Sequence, residues 1–175
     1  MYSKTQPLIE DKKALPSYQD QFDRLSELLL GLLNTPVQTV QHIGGTAHFN
    51  YPTEPILDIL VGVNNLHDIT ALDEKRLNYA GFYRVHHSYK KKAMMVKFND
   101  MTELKQTVRL HILQIESKQY RHYKEMDAAL SQDTELSAQF SKEKQALHTQ
   151  ASTIREYEEA KDALFEKLSR QFHLN

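Results

Sequence analysis

The chain of 175 residues reads as an α/β (α+β) protein, a small mixed β-sheet flanked by helices and followed by a C-terminal helical region. Three observations lead there. Ile56-Leu57-Asp58-Ile59-Leu60-Val61-Gly62-Val63 is a near-continuous apolar run of strand length, which suits a strand covered on both faces. Around it, apolar residues at helical spacing alternate with short β-type segments. After Glu116 no Gly or Pro occurs, and charged, helix-forming residues dominate to the C-terminus.

Taken in order, residues 1–16 are mixed and polar, with Pro7 and Pro16, and read as an N-terminal arm. Ser17 is placed to cap a helix running to about Asn34, with Phe22, Leu25, Leu28, Leu29 and Leu32 on its apolar stripe and Pro36 as its stop. Val37–Ile43 reads as the first strand; a glycine turn and an irregular loop lead into the apolar run. A second helix of about Leu66–Ala80 turns Ile69, Leu72 and Leu77 inward, and Gly81 supplies its C-terminal stop. Phe82–His87 and Lys91–Asn99 read as strands around a turn at Ser88-Tyr89-Lys90, and Asp100–Lys105 as a second turn. In the last strand, Thr107–Ile115, Leu110 and Ile112 face one way and Arg109, His111 and Leu113 the other. Three helices follow, at about 117–130, 133–149 and 153–172. The expected organisation is an arm (1–16), an α/β core (17–116) and a helical region (117–175) packed on that core.

Composition narrows the functional classes. Hydrophobic content of 40% and charged content of 26% are those of a soluble globular protein. No apolar run is long enough to span a bilayer and no signal-peptide core is visible, so a cytoplasmic protein with no membrane role is the expectation. The absence of cysteine excludes disulfides and cysteine-based zinc sites. A net charge of −1 argues against an electrostatic nucleic-acid binder. The charge is nonetheless uneven: Phe82–Arg109 holds seven basic residues and two acids. Its lysines, Lys90, Lys91 and Lys92 above all, read first as edge protection. Arg84, Lys97 and Arg109 are the candidates for gripping phosphate or carboxylate, because a guanidinium binds either in bidentate fashion.

The candidate chemistry centres on one carboxylate. An unpaired Asp58 inside an apolar strand is expensive, so it is expected to face a cleft, a cation or a hydrogen-bond partner. Upstream, Gly44-Gly45-Thr46 offers exposed N–H groups and a hydroxyl that can cradle a phosphate. Donors for phosphate beside a carboxylate for metal are what a nucleotide–metal site requires. His42 and His111, if they share the Asp58 face, complete a trio able to hold manganese or zinc. The plainer reading makes both half-buried, hydrogen-bonded histidines, and makes Asp58 the partner of a His or Arg. His86 and His87 are neighbours on a strand and cannot both join one site.

His42-Ile43-Gly44-Gly45-Thr46-Ala47 followed by Pro55-Ile56-Leu57-Asp58-Ile59-Leu60-Val61 resembles the GrpB family, whose pattern is close to H-V/I-G-S-T-A-V-P-G, a short loop, then K-P-I-I-D-I-L-V. The resemblance continues through Leu77-Asn78-Tyr79-Ala80-Gly81-Phe82, Leu110-His111-Ile112, and Tyr157, Lys161 and Phe165, and so covers the chain from about Tyr18 onward. It implies the polymerase-beta-like nucleotidyltransferase fold. It also implies that the helix face bearing Tyr157 and Lys161 closes over the cleft, and it adds Lys161 to the phosphate-binding set. Four departures stand out: Gly45 replaces the family Ser, His48-Phe49-Asn50 replaces Val-Pro-Gly, Glu54 replaces Lys, and Arg109 replaces the first His of the H-L-H-V strand. In the wider nucleotidyltransferase pattern a second carboxylate stands two residues after the first; here that position is Leu60.

The expected function is binding of a nucleotide or other phosphorylated small molecule with a divalent metal, magnesium or manganese ahead of zinc, and nucleotidyl transfer at that site. Asp58 would be the catalytic metal ligand, and Gly44, Gly45, Thr46, Arg84, Lys97, Arg109 and Lys161 the phosphate-binding set. A second carboxylate from Glu54, Asp100, Glu103 or Glu116 would favour the enzyme. The alternative is a non-catalytic ligand-binding or protein-interaction module on the same fold.

Overall fold

The computed structural model describes residues 6–32, 35–68, 71–85 and 91–171, without the side chains of 68 and 71–73. The expected turn at Ser88-Tyr89-Lys90, the pair His86–His87, Ile69 and the side chain of Leu72 lie outside the described residues.

Five strands, β1 (Val37–Ile43), β2 (Leu57–Val63), β3 (Phe82–Arg84), β4 (Lys92–Phe98) and β5 (Gln106–Gln114), form one sheet in the order β1-β2-β5-β4-β3. β2 and β5 run parallel at its centre; the other three pairings are antiparallel. The apolar run is therefore a central strand, as its lack of alternation requires.

Helix α1 (Leu15–Gly31) starts earlier than expected. Pro16 stands in its first turn, where a missing N–H does no harm and φ is already helical, so Ser17 is inside the helix and is not its cap. The expected stripe holds except at Leu28, which is 38% exposed. Among the described residues the expected second helix comprises a 3-10 turn, Leu66–Asp68, and α2 (Ala71–Tyr79), and Gly81 follows at φ 96°, the left-handed stop expected of it.

Three C-terminal helices follow: α3 (Lys118–Gln132), α4 (Thr134–Gln150) and α5 (Ile154–Gln171). Each start has a side-chain acceptor: Ser117 Oγ for Tyr120 N–H, Asp133 Oδ1 for Glu135 and Leu136 N–H, Thr153 Oγ1 for Glu156 N–H. These polar clusters end one helix and begin the next without Gly or Pro.

The sheet buries both faces. Leu57, Ile59, Val61, Val63, Leu110 and Ile112 form the main apolar core with Leu29 of α1 and Leu77 of α2. Side chains on alternate positions point the other way: Asp58 and Leu60 on β2 stand in register with Arg109 and His111 on β5. The C-terminal helices cover this second face through a core of their own, with Met126, Leu136, Phe140 and Leu164. The arm reaches the same side. Ile9 and Thr53 exchange backbone hydrogen bonds of 2.7 and 2.8 Å, and the Gln6 carbonyl faces His148 Nε2 at 2.7 Å.

Candidate functional site

The residues between β1 and β2 make the inner wall of a cleft. β1 ends at Ile43, and Gly44, with a φ of 78°, turns the chain into a 3-10 turn, Gly45–Ala47. A Cβ on Gly44 would stand 3.2 Å from Asp58 Oδ2, so its absence keeps Asp58 open. A Cβ on Gly45 would stand 2.3 Å from Thr53 Cβ. The segment returning towards β2 crosses directly over this glycine, and the serine usual in the resembling pattern has no room here.

Thr46 is buried, and its hydroxyl is committed. It lies 2.9 Å from His42 Nε2 and 3.4 Å from the Ile56 carbonyl. With Thr46 donating to that carbonyl, His42 Nε2–H donates to Thr46, and Thr46 has no hydroxyl proton left for a phosphate. His42 itself pairs in register with Ile59, which belongs to the α1/α2 core, and it stacks on Phe22 of α1 with ring centroids 5.5 Å apart. Burial lowers its pKa to about 4. The expected trio is thereby corrected: His42 and His111 point to opposite faces of the sheet. Among the described residues no group of three or more His, Asp and Glu side chains is arranged to hold a metal ion.

Asp58 and His111 do meet. His111 Nε2 is 2.8 Å from Asp58 Oδ1. Burial alone would raise the Asp58 pKa, but the His111 hydrogen bond and the charges of Arg109 and Lys161 outweigh it and hold the carboxyl below its usual range. Burial, reinforced by Lys92, lowers the His111 pKa to about 4, so the ring is neutral and Nε2 is the donor.

Facing them, α3, α4 and α5 close the cleft. Arg109 reaches Glu158 of α5 at 2.8 Å, and Lys161 lies 3.2 Å from Glu158 and 3.6 Å from Glu54. Lys144 of α4, 3% exposed, lies 3.2 Å from both Glu54 Oε2 and Thr53 Oγ1. Lys92 Nζ donates to Tyr123 Oη at 2.9 Å, and burial lowers its pKa to about 8. Asp127 of α3 accepts the Gly44 N–H at 2.8 Å; burial, opposed in part by that hydrogen bond, raises its pKa to about 6. The cleft thus has five carboxylates (Glu54, Asp58, Asp127, Glu158, Asp162) and four cations (Lys92, Arg109, Lys144, Lys161), with Tyr51, Leu130, Phe140 and Phe165 as its apolar wall. Its volume is about 140 Å³, which suits the charged end of a ligand rather than the whole body of one.

Of the expected phosphate-binding set, Gly44, Gly45, Arg109 and Lys161 line this cleft. Arg84 and Lys97 do not reach it. Arg84 pairs in register with Met95, and Lys97 with Val108, both on the α1/α2 side; Arg84 is ion-paired with Glu74, and the Lys97 stem runs beside Gly81. Lys92, Lys144 and Asp127 were missed. In sequence Lys92 reads as one of three edge lysines, and Lys144 and Asp127 sit on helices whose facing only tertiary packing sets. Of the acids considered as second carboxylate, Asp100, Glu103 and Glu116 are exposed, and Glu54 is buried between two lysines.

The carboxylates of the cleft are hard oxygen donors, so any cation held there would be a hard one. Asp58 and Asp127, both in its lining, could offer carboxylate oxygens, a donor type that suits magnesium or manganese better than zinc.

In fold, this mixed sheet roofed by helices resembles solved nucleotidyltransferases of the polymerase-beta-like type. The structure aligns with Cid1 poly(U) polymerase bound to Mg 3′-dATP at a TM-score of 0.52 and 13% identity, over 77% of this chain and 40% of that one. It aligns with Cid1 in complex with its short product ApU at 0.52 and 14%. The GrpB protein family model matches residues 9–171, and the chain belongs to the GrpB family. The crystal structure of conserved protein GrpB from Enterococcus faecalis superposes at a TM-score of 0.73 and 22% identity, over 89% of this chain and 92% of that one. The glutamate-rich protein GrpB of Alkalihalophilus pseudofirmus is 34% identical over 94 residues, which spans about half (54%) of that protein's length. Among the described residues no helix is long and apolar enough to cross a membrane.

Proposed function

We propose that the cleft binds the phosphate end of a nucleotide or similar phosphate ester together with a divalent cation, and that nucleotidyl transfer is its reaction class. The observation behind this reading is the charge of the lining: five carboxylates and four cations meet around Asp58 in a buried cleft. With His111 neutral and the acids ionised, the lining sums to −1. An anion alone is repelled by that sum, whereas a divalent cation reverses its sign, so the two ligands bind together.

Asp58 holds the metal on the sheet side. Arg109 and Lys161 are the phosphate contacts, released in part from Glu158 as the phosphate arrives, with Lys92 and Lys144 adding positive charge. Gly44 and Gly45 let the backbone approach. When bound, the metal neutralises charge that develops on the transferring phosphoryl group.

The test is thermal unfolding with ATP, UTP, inorganic triphosphate and a short oligoribonucleotide, each with and without magnesium or manganese, on wild type and Asp58→Asn. A ligand present at ~100 times its dissociation constant adds about 2.7 kcal/mol to native stability. A rise that needs both metal and phosphate and is absent in Asp58→Asn supports the reading. No rise with any pair sinks it.

A second reading is favoured by Leu60, which is fully buried where a second strand carboxylate would stand. On it the fold is a binding module that holds such a ligand without reaction. Incubation with α-labelled ATP, metal and the oligoribonucleotide separates the two, since only the enzyme transfers the labelled nucleotidyl group to an acceptor hydroxyl as pyrophosphate leaves.

A further inference from the structure

The cleft already holds an anion of its own. The Glu158 carboxylate of α5 sits between Arg109 Nη2 at 2.8 Å and Lys161 Nζ at 3.2 Å. These are the two cations assigned above to phosphate. Burial alone would raise the Glu158 pKa, but Arg109 and Lys161 outweigh it and hold the carboxyl below its usual range, so it is ionised at neutral pH.

Each cation has a second hold that does not involve Glu158. Arg109 Nε donates to Gln106 Oε1 at 2.6 Å, and the Gln106 carbonyl accepts from Gln6 Nε2 of the arm at 2.9 Å. Lys161 lies 3.6 Å from Glu54 and 5.3 Å from the centre of the Tyr157 ring. Helix α5 is docked by other residues, the buried Tyr157, Leu164 and Leu168. Of the three ionic partners Glu158 stands nearest to solvent, 28% exposed against 7% for Arg109 and 18% for Lys161. A change of its rotamer therefore empties the place between the two cations and leaves both aimed into the cleft. It also takes the lining from five carboxylates to four, level with the four cations.

We propose that Glu158 is a tethered anion that fills the ligand's place between Arg109 and Lys161 in the free protein, and that it selects ligands by their chemistry, yielding to an oligophosphate and not to a carboxylate. This rests on the reading of Arg109 and Lys161 as phosphate contacts. A carboxylate that replaces Glu158 makes the same two pairs that it breaks, and loses translational freedom besides, so exchange is unfavourable. An oligophosphate offers several charged oxygens, meets both cations at once and brings its own metal, so exchange is favourable. Glu158 is thus a specificity-determining residue for the cleft, and the metal requirement follows in part from the charge it adds.

The test is calorimetry with inorganic triphosphate, with and without magnesium, on wild type, Glu158→Gln and Glu158→Asp, with thermal melts to check that the fold is retained. A tethered competitor acts at an effective concentration in the millimolar range, so its removal should tighten triphosphate binding by about tenfold or more. Glutamine removes the charge at constant shape. Aspartate keeps the charge but is one methylene too short to hold Arg109, so it should tighten binding as well. Tighter binding in both variants, including binding that wild type lacks, sustains the proposal. Tightening in Glu158→Gln alone means that the residue acts only through the field of its charge, and unchanged or weaker binding in both means that it does not compete; either result overturns the proposal and leaves the phosphate reading standing. No binding to any of the three proteins overturns both. Acetate supplies a measurement that wild type alone can fail: a large excess should displace triphosphate from Glu158→Gln and not from wild type, and displacement from wild type overturns the selection against carboxylates.

Discussion

The two faces of the central sheet come from the same strands and obey opposite rules. On one, Leu57, Ile59, Val61, Leu110 and Ile112, all at most 2% exposed, meet α1 and α2 in a continuous apolar core. On the other, one residue away along each strand, Asp58, Arg109 and His111 meet Glu54, Lys144, Glu158 and Lys161. Apolar burial stabilises roughly in proportion to area, about 25 cal/mol per Å². Buried ion pairs return little net stability, because desolvation offsets attraction, yet losing one partner is severe. The first face therefore holds the fold. The second holds an arrangement of charge that is intolerant of single changes.

Five experiments probe this contrast, the largest effect first. Glu54→Ala leaves Lys144 and Lys161 buried without their shared carboxylate, and should lower unfolding free energy by about 3–5 kcal/mol in urea titrations. Glu54→Leu combined with Lys144→Met should recover most of that loss; if it does not, the pair stabilises outright and the contrast between the faces fails. Leu110→Ala, on the apolar face, should cost about 2–5 kcal/mol by the same titration and leave metal affinity unchanged. Gly45→Ser tests the join between the faces. Overpacking against Thr53 should cost about 1–3 kcal/mol, and adding Thr53→Gly should restore part of it; strict additivity would show that the close approach is unimportant.

Acid titration gives the fourth. Burial lowers the pKa of His42 and of His48 to about 4. An unfolded imidazole titrates near ~6.5. Below that value the unfolded chain binds protons that the native state refuses, so the contribution is intact above it and declines as pH falls towards the folded values. Urea midpoints measured across that window should fall with pH, and His48→Gln should flatten the slope; an unchanged slope would mean that His48 titrates normally. The smallest effect belongs to Arg84→Ala. Its pairing with Glu74 is half exposed, so melts should show a change under about 1 kcal/mol and no change in ligand response. A large loss of phosphate affinity there would return Arg84 to the site.

The elements were legible because their signals are local. The near-continuous apolar run at Ile56–Val63 marks a strand covered on both faces, Gly81 marks a helix end, and period-two alternation puts Arg109 and His111 on one face of β5 and Leu110 on the other; Pro36 is a looser signal, since α1 already ends at Gly31. Within the site, Asp58 was legible because a charge in an apolar strand demands a partner, and Gly44 because glycine permits its positive φ. Lys161 came from resemblance to the family pattern. The errors share a cause. His42 lies two residues from the glycine turn and sixteen from Asp58 in sequence, but its facing follows from register with Ile59, and register is a pairing of distant segments. Strand neighbourhood, which groups Arg84 and Lys97 with Arg109, does not say which face a side chain takes.

Sequence alone, then, determined the succession of local elements along the chain, the helical character beyond Glu116 and the lone strand acid, since propensity, periodicity and desolvation act on neighbouring residues. Tertiary structure decided the opposite wall: which turn of α3 brings Asp127 to Gly44, which turn of α4 brings Lys144 to Glu54, and that Thr53 fills the space over Gly45. These depend on how helices far along the chain dock on the sheet, and docking is set by packing of whole faces, which no short stretch of residues encodes.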